Sequence, residues 1–194
     1  MKKLENNKTY SKESFKNLKI TNQDLSGCEF EECKFISCTF SDSTLNNCKF
    51  IDCDFEKCNL NLVKINEVSF VDVLFKNSRL SGIDFSGLTG LTKSMDFQNC
   101  NMKYVIFSDI DLSKRKFKNS SILESSFMEV NLSETDFSGS DLKKTRFEDC
   151  DLRKADFRKA KDYFINTHSN KISKAKFSMP EAASLLKNLD IIME

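Results

Sequence analysis

The sequence predicts a repetitive solenoid in place of a globular domain, on three observations. A large apolar residue recurs at every fifth position, from Ile20 through Leu25, Phe30, Phe35 and Phe40 to Phe85, and Phe15 extends the run backwards. A second run keeps the same step from Phe97 to Phe157, with aromatic and aliphatic residues alternating throughout. The composition agrees: 18 Phe and 8 Cys stand against 5 Gly and 1 Pro, so few residues are left for ordinary turns.

A step of five matches neither the period of an α-helix, about 3.6, nor that of a strand, about 2. Some other regular backbone must therefore turn every fifth side chain inward. The residue two places before each large apolar one is also small or apolar: Cys28, Cys33, Cys38, Val63, Val105 and Ala155 are examples. The three intervening positions are mostly Asp, Asn, Lys, Glu and Ser. Two inward residues and three outward ones describe the wall of a coil.

In chain order, residues 1–14 read as a lead-in. Residues 15–160 are the repeats, with a two-residue register break within 86–94. Residues 161–194 form a C-terminal module with a helix at about 179–189. In that module Ser178-Met179-Pro180-Glu181 has the form of a capping box with Pro in the first turn. Ala182, Leu185, Leu186 and Leu189 then share one helical face, followed by Ile191, Ile192 and Met193. An open solenoid end needs a cover, and this helix can supply it.

Thr135-Asp136-Phe137-Ser138-Gly139, Ser140-Asp141-Leu142-Lys143-Lys144 and Ala155-Asp156-Phe157-Arg158-Lys159 resemble the units of the pentapeptide-repeat family. The resemblance spans roughly residues 15 to 160. It implies an all-β fold, a right-handed quadrilateral β-helix of about seven turns with a C-terminal capping α-helix. Four units would make one square turn, so residues 20 apart should stack. Phe97, Phe117, Phe137 and Phe157 would form one column, and Leu112, Leu132 and Leu152 another. At strand spacing the rod would be roughly 35 Å long.

All eight cysteines fall in the small inward slot. Zinc ligation needs residues converging on one point, whereas these lie on successive sides of the coil. Pairs such as Cys28 and Cys48 stack within disulfide reach, but their side chains run parallel. They read as free core thiols, with a clustered thiol sensor as the other reading. No metal or other cofactor is expected. No enzyme is expected either: the one histidine, His168, lies in a loop, and Gly87-Leu88-Thr89-Gly90 lacks the Lys-Ser/Thr ending of a phosphate loop.

Lys and Arg number 30 against 29 Asp and Glu, which argues against a generally basic nucleic-acid binder. No apolar run is long enough to span a bilayer and no apolar leader follows Met1, so a cytoplasmic protein without membrane contact is expected. Charge is unevenly placed, however. Residues 21–60 hold eight acids and three lysines, a net of −5. Stacked at intervals of 20, Glu32, Asp52 and Asp72 form an acidic ladder, with Ile51 and Val71 beside it. This stripe reads as a partner-binding face or as plain solvated surface. Lys114, Glu134 and Lys154 alternate in sign, a stabilising ladder. Arg115 occupies an inward slot, which predicts a bulge or loosened turn over 113–117.

The segment from Lys174 to Leu186 resembles the C-terminal module of bacterial pentapeptide proteins, including the quinolone-resistance (Qnr-type) group. That resemblance implies a homodimer joined tail to tail through Leu185, Leu186, Leu189, Ile191 and Ile192. It also implies binding to DNA gyrase or topoisomerase IV by a rod that imitates duplex DNA, without direct contact to nucleic acid. The alternative is an interaction scaffold for another protein.

Overall fold

A computed structural model describes residues 4–90 and 94–188, with side chains to 186. The chain winds into a four-sided parallel β-helix of about eight turns, one more than the repeats alone suggest. The extra length comes from both ends. Tyr10 stacks on Phe30 with ring centroids 5.2 Å apart, and Phe177 stacks on Phe157 at 5.3 Å.

The first face carries the strands Thr9–Ser11, Glu29–Glu31, Lys49–Ile51 and Ser69–Val71, paired in parallel with Tyr10, Phe30, Phe50 and Phe70 in register. The second face is a six-stranded ladder from Ser14–Lys16 to Phe117–Lys118. The third and fourth faces are held largely by single bridges, such as Thr39 to Asn59 and Thr44 to Lys64. Beyond residue 100 they lengthen into short strands, including Asn101–Lys103 with Ser121–Leu123 and Ile106–Ser108 with Ser126–Met128.

Each pentapeptide makes one side and one corner. Its large apolar residue is central and buried; two residues later the backbone enters the left-handed region, as at Asn47 (φ 58°), Asp52 (φ 51°) and Gly139 (φ 73°). That conformation explains the abundance of Asn and Asp there, since they tolerate it better than apolar residues do. At many corners the turn is closed by a hydrogen bond of type II form, such as Thr135 N–H to Leu132 O at 3.1 Å.

The small inward slot has a job beyond filling space. The carbonyl of most large apolar residues is not used by the ladder between turns, that of Phe70, which accepts from Ser94 N–H at 3.1 Å, being an exception. Where the slot residue one turn on carries a donor, it can donate to that carbonyl: Cys53 Sγ to Phe30 O (3.4 Å), Ser78 Oγ to Phe55 O (3.0 Å), Thr145 Oγ1 to Ile122 O (2.7 Å) and Asn170 Nδ2 to Phe147 O (2.8 Å). Cysteine, serine, threonine and asparagine therefore interchange in one slot because each is small and can donate. All eight cysteines are buried and none forms a disulfide.

The core is a stack of phenylalanines. On the second face they run from Phe15 to Phe177, with Phe35 and Phe55 4.6 Å apart and Phe97 and Phe117 4.9 Å apart. A second aromatic column meets them edge-on. Before the register break it lies on the first face (Phe30 to Phe35, 75°), and after it on the fourth (Phe107 to Phe117, 88°). Leu112, Leu132 and Leu152 take over the first face.

The break adds two residues to a single turn, so Phe75 pairs with Phe97. The outer lip is tied down by Ser94, whose carbonyl accepts from Val73 N–H (2.9 Å) and whose hydroxyl accepts from Asp72 N–H (2.7 Å).

Two local expectations are corrected. The turn at Arg115 is not bulged: Arg115 N–H donates to Leu112 O at 3.2 Å and Lys114 has φ 61°, as at neighbouring corners. The guanidinium instead leaves the core, half-buried, with Nε 3.4 Å from Ser113 O. The accommodation is passed to Lys116, whose amide donates to Asp96 Oδ1 at 2.9 Å.

The C-terminal helix is a 3₁₀-helix, Glu181–Asn188, and not an α-helix over 179–189. An α-helix this short does not sustain itself. The three-residue period keeps Ala182 and Leu185 on one line and turns Leu186 outward, 39% exposed. Leu185 packs on the rod end with Ile172 and Phe177. The expected capping box does not form either, because the Ser178 hydroxyl accepts from Lys159 N–H at 3.1 Å. Leu189, Ile191 and Ile192 lie outside the described residues.

Candidate interaction surface

Corners rather than sides carry the most exposed charge, because the left-handed residue points its side chain away from the coil. Glu32, Asp52 and Asp72 occupy successive corners between the first and second faces, with φ of 51°, 51° and 52°. Backbone bonds from Glu32 N–H to Ile51 O and from Asp52 N–H to Val71 O, both 2.9 Å, fix them one above another. All three are exposed; Glu32 is approached by Lys12 Nζ at 3.5 Å. Ile51 and Val71 stack beside them in register with Glu31 and are half-buried.

A second acidic ladder accompanies the one expected from the sequence. Asp109, Glu129 and Asp149 stack on the corner between the fourth and first faces, with φ of 49°, 55° and 53°. Asp109 N–H donates to Met128 O (3.1 Å) and Glu129 N–H to Glu148 O (2.9 Å). All three are exposed and make no ion pair among the described residues. The signal was available, since the three lie 20 apart like the first ladder. Both ladders border the first face, one on each edge, and they occupy opposite ends of the rod.

Many of the other charges on the coil are paired. Lys49 Nζ meets Glu29 at 2.6 Å, and Lys154 Nζ meets Glu134 at 3.1 Å in the alternating ladder. The hydrogen bond from Lys154 lowers the Glu134 carboxyl from its ordinary value. Arg153 forks onto Asp151, with Nε 2.8 and 3.0 Å from the two oxygens, and this bond holds Asp151 below the usual carboxylate range. Arg158 does the same to Asp156.

The stacked thiols are tuned unequally: hydrogen bonding with Cys48 and Cys58 lowers Cys28 and Cys38 from the ordinary thiol value. Burial pushes Cys53 up to about 12 and Cys100 and Cys150 up to about 11, so they stay protonated. Cys48 and Cys58 are raised as well, by the stacked sulfur below each and then by burial. His168 is exposed in a turn, its amide donating to Asn166 Oδ1 at 2.9 Å. No helix among the described residues is long and apolar enough to cross a membrane.

Stacked five-residue units, left-handed corners and a phenylalanine spine define a repeat solenoid whose outward chemistry lies on its corners. The family model for the pentapeptide repeat region matches residues 28–107 and 101–178, and the chain belongs to that family. Among solved structures it is similar to two trypsin-treated forms of QnrB1, a plasmid-mediated fluoroquinolone resistance protein. One superposes with a TM-score of 0.66 at 19% identity, over 93% of this chain and 100% of that one. The other gives 0.65 at 21% identity, over 97% and 92%. No curated protein matches the chain.

Proposed function

We propose that this protein is a non-enzymatic ligand of a type II topoisomerase, DNA gyrase or topoisomerase IV, and presents its first face in place of duplex DNA. The observation that carries the reading is the pair of carboxylate ladders edging that face, Glu32, Asp52 and Asp72 on one side and Asp109, Glu129 and Asp149 on the other. Like charges one rung apart repel, so such ladders weaken the coil and gain their value from a cationic partner. A DNA-binding groove is such a partner, lined to neutralise regularly spaced phosphates. The likeness of the whole rod to QnrB1 supports the same reading. Exposed Met179 and Leu186 beside the rod end support tail-to-tail pairing into a homodimer, which would double the length of the acidic face.

The experiment is a gyrase supercoiling assay with and without a quinolone. The protein should inhibit supercoiling or relieve the drug, and Asp52→Lys with Asp72→Lys should remove the effect. An inert wild-type protein would contradict the proposal.

The second reading, a scaffold for a different protein, is favoured by one observation. The ladders lie on different edges and the chain's net charge is +1, so its negative surface is segregated rather than continuous. The same assay separates the two.

A further inference from the structure

Apart from Leu62 and Tyr104, every non-glycine residue with positive φ among those described is Asn, Asp, Glu, Lys or Ser. The two exceptions share one column, the corner between the third and fourth faces, and both have φ 57°. Each is disfavoured twice there: in the left-handed region, which suits neither side chain, and in water, where Leu62 is 57% and Tyr104 55% exposed. Gly82 lies between them on the same column. Leu62 folds over it, with Cδ2 2.5 Å from where a Cβ would stand. Ile106, 37% exposed, continues the apolar strip beyond Tyr104.

Two shallow grooves flank the strip. One, of about 730 Å³, includes Leu62 and Gly82; the other, of about 490 Å³, includes Tyr104 and Ile106. The rim of the second groove is basic. Lys144 and Arg146 line it, and Lys103 Nζ sits 4.6 Å from the Tyr104 ring centroid. Its one acid, Glu124, is already engaged by Lys103 at 3.1 Å and Lys144 at 4.0 Å. Positive charge is therefore left over at this end of the strip.

We propose that this corner docks an acidic amphipathic helix from a partner protein. Leu62 and Tyr104 are two turns apart, about 10 Å at strand spacing. Residues i and i+7 of an α-helix are separated by nearly the same distance, about 10.5 Å. A helix lying along the rod axis would set one apolar residue against Leu62 over Gly82 and the next against Tyr104 and Ile106. Its carboxylates would meet Lys144 and Arg146. The corner lies diagonally across the coil from the Glu32 ladder, so the inference does not rest on the topoisomerase reading.

The test uses fluorescence anisotropy with two labelled designed helices of about 18 residues, five turns. Both carry leucine at i and i+7; one is flanked by glutamates and the other by lysines. The glutamate helix should bind about tenfold more tightly or better. Leu62→Asn with Tyr104→Asn should weaken it about tenfold or more. The same double variant should unfold no earlier than wild type, because asparagine suits these corners. Lys144→Glu with Arg146→Glu should reverse the preference between the helices. Absence of binding, lack of charge preference, or unchanged binding by the double asparagine variant would overturn the proposal. So would sedimentation showing self-association that Leu62→Asn with Tyr104→Asn abolishes, because the occupant would then be a second copy of this chain.

Discussion

At the residue scale, the coil is governed by the carbonyl that the ladder leaves open in most pentapeptides. Thr145 closes one of these through its hydroxyl to Ile122 O at 2.7 Å. Valine fills equivalent slots at Val68 and Val130, so Thr145→Val should fit. It should nevertheless cost about 1–2 kcal/mol in urea unfolding, because the buried Ile122 carbonyl loses its donor. An unchanged midpoint would show that the slot acts by size alone. The forked Arg153–Asp151 pair gives a pH signature. The Asp151 carboxyl is lowered in the folded state, so its stabilisation is complete above the ordinary aspartate range, about 3.9. It is lost as pH falls through the depressed folded value. Asp151→Asn should therefore be less stable than wild type at about pH 7, and the difference should shrink as pH falls below about 3.9.

At the element scale, the phenylalanine column is the largest store of stability. Phe117 stacks between Phe97 (4.9 Å) and Phe137 (5.1 Å) and meets Phe107 and Phe127 edge-on, each at 5.7 Å. Phe117→Ala should cost about 3–5 kcal/mol, because the neighbouring rungs are locked by their own ladders and cannot collapse into the space. A cost below about 1 kcal/mol in urea unfolding would mean that the coil repacks freely. This column was legible in the sequence through the resemblance to pentapeptide repeats, which implies four units to a turn and so stacks residues 20 apart. The C-terminal helix was less so: Ala182, Leu185 and Leu186 fit an α-helical face, and only contact with the rod end selects the three-residue period that expels Leu186. Arg115 was legible as an exception but not in its resolution. Whether a misfit is absorbed by backbone or by side chain depends on neighbours such as Asp96, and the five-residue pattern does not encode them.

At the scale of the molecule, the fold was written almost wholly in the repeat, while its surface was written in columns of 20. One acidic ladder was visible because Glu32 and Asp52 lie in the acidic stretch 21–60 and Asp72 is the next residue 20 on. Asp109, Glu129 and Asp149 were hidden because residues 103–161 are net positive, with thirteen bases and eleven acids. Charge counted along the chain mixes four corners that the coil separates. Glu129→Lys would turn the second ladder into an alternating one like Lys114, Glu134 and Lys154. It should raise the unfolding midpoint by about 1–2 °C at low salt, and the gain should shrink as salt is added. The same change should weaken any effect on gyrase, a trade of function for stability.

The central claim is that the first face occupies the place of duplex DNA. Its most direct test is competition: purified gyrase is bound to a labelled duplex and titrated with the protein. The account predicts displacement of the duplex by wild type, and little or none by Asp52→Lys with Asp72→Lys. A ternary complex in which gyrase holds protein and duplex together, or a duplex that stays bound throughout, would contradict it.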